Sequence, residues 1–174
     1  MKKIIALMLT LLCIFSLAAC GSSDADEPAS NRLEATSASL KKDLPEKLDL
    51  SDLDLLSEED ASAENLLFIY GIDSGIRETV DSYFITNSHR STDPRAIAIL
   101  FFKDSENVKE DIAAAKKGIE DVFLKTLVNA TATYDPEAAK TVNSAIFKEY
   151  DNALVFISYD TEGNSQVIDA IEGK

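Results

Sequence analysis

Ala96-Ile97-Ala98-Ile99-Leu100-Phe101-Phe102-Lys103 is the most apolar stretch of the chain downstream of its N-terminal region. Successive side chains of a strand point to opposite faces of a sheet. Here both alternate sets are apolar, Ala96, Ala98, Leu100 and Phe102 on one side and Ile97, Ile99 and Phe101 on the other. Such a strand belongs in a sheet interior, covered on both faces. On its N-terminal side, residues 79–86 read as a second strand, with Val80, Phe84 and Thr86 on one face and Tyr83 and Ile85 on the other. Residues 87–95, which include Pro94, read as the polar loop between the two. On its C-terminal side, Asp104 or Ser105 is the expected cap of a helix reaching to about Val128. Val108, Ile112, Ala115, Ile119, Val122, Phe123 and Leu127 recur at spacings of three and four, so they form one buried stripe.

Further outward, residues 63–70 read as a short helix stopped by Gly71. Asp135 and Pro136 open a second short helix, as cap and first-turn proline. Residues 145–150 and 153–159 read as strands joined by a tight turn at Asp151-Asn152. Residues 161–164 read as a turn and 165–171 as a terminal helix with Val167, Ile168 and Ile171 inward. The expected fold class is α+β: a four-stranded, mainly antiparallel sheet of two hairpins with helices packed on one face.

The N-terminal region carries the strongest address. Lys2 and Lys3 precede a 16-residue run, 4–19, broken only by Thr10 and Ser16, and ending in Leu17-Ala18-Ala19-Cys20-Gly21. A basic start, an apolar centre and small residues at the cut make a secretory signal. The run is shorter than the roughly 20 residues a membrane-spanning helix needs. The ending resembles a bacterial lipobox, in which cleavage falls before the cysteine and the cysteine takes the lipid. Residues 1–19 are therefore expected to be a lipoprotein signal peptide, and Cys20 the lipid attachment site on the extracytoplasmic face of the cell membrane.

Cleavage there removes Lys2 and Lys3, so the 17 basic residues fall to 15 against 31 acidic ones, a net charge of −16. Nucleic acid and anionic lipid surfaces both favour basic patches, which excludes nucleic acid as the expected partner. Cys13 leaves with the signal and Cys20 is used for lipid, so the folded part has no disulfide and no thiolate metal site. Residues 20–44 are rich in Ser, Ala, Asp and Glu and are expected to be an acidic, disordered tether. Residues 45–174 are then expected to be a single α+β domain. Its first stretch, with Leu48, Leu50, Leu53, Leu55 and Leu56 among acids, reads as either a strand or a short helix.

Tyr70-Gly71-Ile72-Asp73 before a strand, the stretch 96–103, the helix from Asn107, Tyr134-Asp135-Pro136-Glu137 and the closing hairpin follow one another behind the lipobox. This layout resembles the small, mainly Gram-positive bacterial lipoproteins grouped as domain of unknown function 4358, over about residues 64–172. The resemblance implies an acidic residue where the second strand begins, a place where this chain has Ala96 after Arg95. It implies no activity.

Chemistry is sparse. His89 is the only histidine, in a polar loop with Ser88 and Ser91 close by but nothing resembling a nucleophile elbow. Asp49, Asp52, Asp54, Glu58, Glu59 and Asp60 cluster, yet Leu55 and Leu56 stand where a calcium loop would need a ligand and a glycine. They read as a solvated acidic face, and the segment Asp160-Thr161-Glu162-Gly163-Asn164 as a turn. Tyr70, Tyr83, Tyr134, Tyr150 and Tyr159 fall at element ends and read as core-edge residues, with a groove lining as the other option. The expectation is a membrane-anchored, non-catalytic binding or interaction domain without cofactor or metal, whose partner is an envelope protein or a small molecule. The alternatives are a carboxylate-dependent hydrolase of wall polymers and a weak extracellular cation binder.

Overall fold

A computed structural model describes residues 30–88 and 93–174. The expected signal peptide, Cys20 and His89 lie outside the described residues. Residues 31–174 form one compact unit.

The elements in chain order are α1 (Ser37–Lys47), β1 (Leu53–Ser57), α2 (Ala63–Ile69), α3 (Ser74–Thr79), β2 (Val80–Ser88), β3 (Ala96–Phe102) and α4 (Val108–Gly118). A π-helical stretch (Ile119–Leu124) continues α4 into α5 (Lys125–Tyr134). Then follow α6 (Pro136–Val142), β4 (Ile146–Glu149), β5 (Ala153–Ser158) and α7 (Thr161–Ile171). The fold is α+β with an antiparallel sheet, in the order β1-β2-β3-β5-β4. Among the described residues the sheet has five strands, where four are expected. The extra one is β1, built from the leucine-rich stretch whose reading was open between strand and helix, and it pairs Leu53–Ser57 with β2. β3 holds the interior place expected of it, between β2 and β5, and all seven of its residues are buried.

The expectation of helices on one face is corrected. One apolar cluster joins α2 and α4 to Tyr83, Ile85, Ala98, Leu100, Leu154 and Phe156. The other joins Leu40 and Leu44 of α1 and Val167 and Ile171 of α7 to Phe84, Ile97, Ile99, Val155 and Ile157 on the opposite face. A strand apolar on both sides leaves one face wet unless a second layer covers it, and α1 with α7 is that layer. Among the described residues, both clusters lie within the compact unit.

The boundary of the tether is corrected by the same finding. Within 30–44, Leu33, Leu40 and Leu44 are buried. Thr36 caps α1 by accepting from the Ser39 backbone N–H at 3.2 Å, while Ser39 Oγ accepts from the Thr36 N–H at 3.0 Å. Pro45 lies in the last turn of α1 and does not open a new region. Ahead of α1 a strap is fastened to the β4–β5 turn. Asn31 N–H donates to Asp151 Oδ2 at 2.7 Å, and Asp151 N–H donates to the Asn31 carbonyl at 3.0 Å. Leu33 and the Asn152 side-chain amide exchange two further bonds of 2.8 and 3.1 Å.

Smaller departures have local causes. A bulge between Val80 and Ser82 breaks the two-residue alternation, so Val80 shares a face with Tyr83 and Ile85 instead of with Phe84. The helix after β3 starts two or three residues later than expected, with Asn107 as a cap that makes no side-chain bond. The terminal helix begins earlier: Asp160 accepts from Gly163 N–H at 2.7 Å, turning residues 161–164 into its first turn. Asp135 and Pro136 open α6 as expected.

The C-terminus is held by charge. Glu172 accepts from Lys148, from Lys174 at 2.5 Å and from Tyr150 Oη at 2.8 Å. These bonds, that from Lys148 foremost, lower its carboxyl from 4.5 to about 2. An unfolded glutamate takes its proton near pH 4.3, roughly, so the stabilisation is complete above that value and lost as pH falls towards the folded value. Glu172→Gln is therefore expected to lower the urea midpoint at pH 7, and the gap from wild type is expected to close between pH 5 and pH 2. Paired denaturation curves across that range check it. A gap independent of pH would remove the ionic account.

Candidate functional site

The β2–β3 ladder opens at Thr86. Regular pairing runs only to Ile85 opposite Ala98. Beyond it the Thr86 side chain stands in for backbone, accepting from Ile97 N–H at 2.9 Å. The Thr86 carbonyl turns instead to Tyr70, whose hydroxyl donates to it at 2.9 Å. Burial pushes the Tyr70 phenol well above its ordinary pKa, so it stays a neutral donor. Its ring stacks on Phe123, with centroids 4.1 Å apart, and Phe123 meets Phe156 edge-on at 5.9 Å.

Phe123 reaches Tyr70 from the π-helical stretch. One turn wider than α-helical re-aims the residues it contains, and such turns frequently mark functional sites. The expected stripe placed Val122 and Phe123 together against the core. In the structure Phe123 packs inward, while Val122 is 45% exposed.

Where the two strands part, a cavity of about 430 Å³ lies between α2 and the long helix. Leu66, Ile69, Phe123, Leu127 and Ala130 form its apolar wall. Asn87, Ser88, Asp93 and Arg95 form its polar end. Asp93 is held from four directions. Its Oδ1 accepts from Arg95 N–H at 2.9 Å and Nε at 3.1 Å, and its Oδ2 from Arg95 Nη2 at 2.8 Å and Ser88 Oγ at 3.0 Å. Burial alone pushes this carboxyl up, but the Arg95 bonds outweigh it and hold Asp93 below the usual carboxylate range. The Asp93 bonds in turn raise the Arg95 guanidinium, so both groups stay ionised. Arg95 also reaches Asp52 on the β1 side at 3.4 Å.

The residues singled out from sequence fall elsewhere or take other roles. In the acidic cluster, Glu58 accepts from Ser37 Oγ at 2.7 Å and from Tyr83 N–H at 3.2 Å, just past the end of the β1–β2 pairing. Asp60 accepts from Lys41 at 2.6 Å and from Ser57 N–H at 2.8 Å, bonds that lower its pKa. These two acids tie α1 to the sheet edge, so the cluster is in part a fastening, not only a solvated face. No group of three or more His, Cys, Asp or Glu stands together as a metal cage among the described residues. Of the tyrosines, Tyr70 alone lines the cavity, and Tyr134 is 76% exposed. The hydroxyl expected in water is buried in Tyr70 and Tyr159.

Asp93, Arg95 and Phe123 were not legible as one site. The available signal was Asp93-Pro94-Arg95, two opposite charges around a proline directly before the most apolar strand. Phe123 carried no signal, because an α-helical period gives no sign of a π turn. Comparison with family models, with curated proteins and with solved structures finds no match.

Proposed function

We propose that this chain is a membrane-anchored extracytoplasmic lipoprotein whose folded unit is a non-catalytic binding domain, with the cavity beside Tyr70 and Arg95 as its ligand site. The single observation supporting the binding role is that cavity: about 430 Å³, apolar along its wall and polar at one end. Ligand sites are generally concave, mostly apolar and furnished with a few convergent polar groups. The address rests on the residues from Lys2 to Gly21, with the membrane reached through acyl chains on Cys20. The resemblance to the 4358 lipoproteins belongs to the same proposal and brings no activity with it.

Expressed in a bacterial host, the wild type is expected in the membrane fraction, with an intact mass that begins at Cys20 and carries acyl adducts. Cys20→Ser is expected to lose the adduct and the processed mass together. A mature chain that starts elsewhere, or one without acyl groups, overturns the anchor and leaves the cavity to be judged separately.

A further inference from the structure

Resting on the reading of the cavity as a ligand site, we propose that its ligand is a small uncharged molecule with an apolar body and one polar end. Three observations carry this. The first is size: about 430 Å³ is at the lower end of the roughly 300–1,000 Å³ of small-molecule sites. The second is the wall, where Leu66, Phe123, Leu127 and the 55%-exposed Ile69 offer an apolar body somewhere to leave water.

The third is the charge balance at the polar end. A carboxylate has about four lone-pair sites. All four of those on Asp93 are taken by Arg95 and Ser88, which leaves none for a ligand ammonium. Arg95 is faced by Asp93 at 2.8 Å and by Asp52 at 3.4 Å, so its charge is already answered. A buried ligand charge without a counter-charge is strongly disfavoured, and neither described charge is available to pair with one. Neutral polar groups meet no such cost, because the Asn87 side chain borders the same end with an amide's donors and acceptor.

The test uses residues 21–174, which hold both cores and lack the signal run and the acylated cysteine, so that no detergent competes for the probe. Titration with the neutral N-phenyl-1-naphthylamine is compared with 8-anilinonaphthalene-1-sulfonate, the same ring body carrying an anionic group. The neutral probe is expected to bind at least 10-fold more tightly, with its emission shifted to the blue. Ala130→Phe, which fills the cavity, and Ile69→Gln, which makes an already exposed part of its wall polar, are each expected to weaken it 10-fold or more at unchanged melting temperature. If the anionic probe binds as tightly or more tightly, and both variants weaken it, the uncharged class is overturned while the cavity stands. If neither probe responds, or the variants change nothing, the cavity itself is overturned as the ligand site.

Discussion

Gly71→Ala is expected to cost the domain about 2–6 kcal/mol, a large part of the roughly 5–15 kcal/mol that holds a typical domain folded. Two separate penalties meet at this residue. Its φ of +81° lies in the left-handed region, where a side chain costs about 1–3 kcal/mol. A Cβ there would also stand 2.2 Å from the Gly118 carbonyl oxygen and 2.9 Å from Val122 Cβ. Overpacking of this kind costs about 1–3 kcal/mol, and backbone cannot rotate aside as a side chain can. Two controls separate the penalties. Gly173 has a φ of +71° and nothing within 4 Å of a built Cβ, so Gly173→Ala is expected to show strain alone. Gly118 has no positive φ, and its Cβ would meet the Gly71 carbonyl at 2.3 Å, so Gly118→Ala is expected to show the clash alone. In a helix interior that second change would otherwise stabilise by about 1 kcal/mol. Thermal melts followed by circular dichroism should rank Gly71→Ala lowest, on the order of 10 °C below wild type. If Gly118→Ala melts with or above wild type, α2 and the long helix can part freely, and the contact is not what sets their spacing.

That contact bears on the site. The Gly71–Gly118 approach is immediately followed by the π-helical stretch that delivers Phe123 to Tyr70. Gly71 was legible in sequence as a helix stop, since left-handed C-caps are commonly glycine. Its second role was not, because nothing local tells which distant backbone a glycine will touch. The same division runs through the fold. β3, β5 and the caps at Asp135 and Pro136 follow from alternation and local hydrogen bonding, which neighbouring residues fix. The Val80 face departs from simple alternation because a bulge shifts every alternation before it by one. The Asp93–Arg95 pair is not legible in sequence because opposite charges two residues apart look like loop solubility until burial makes them partners. The second helical layer has a signal in the sequence: a strand apolar on both sides demands cover on both sides, and residues 165–171 alone are too short to cover a whole sheet face. What hid it was composition. Leu33, Leu40 and Leu44 sit among serines, lysines and acids, so the segment reads as tether although its leucines fall on one side.

Leu44→Ala decides between those two readings of the segment. Leu44 is only 1% exposed and packs in the cluster with Phe84, Ile97 and Ile99. Truncating a leucine in such a place costs about 2–5 kcal/mol, from lost transfer free energy and the cavity left behind. The same change in a disordered tether would cost nothing measurable. Lys42→Ala, on the exposed side of α1, supplies the control and is expected within about 0.5 kcal/mol of wild type. Urea denaturation of the three proteins checks this, and a Leu44→Ala midpoint equal to that of wild type would return residues 30–44 to the tether. The outcome also sets the reach of the proposed anchor. With the folded unit beginning at Asn31, an acyl group on Cys20 would leave eleven residues, 20–30, between lipid and fold. Fully extended they span at most roughly 40 Å, and as a flexible coil about 20 Å. A tether running to residue 44 would more than double that contour. A folded start at Asn31 would therefore hold the domain nearer the lipid of the proposed anchor than composition alone implies.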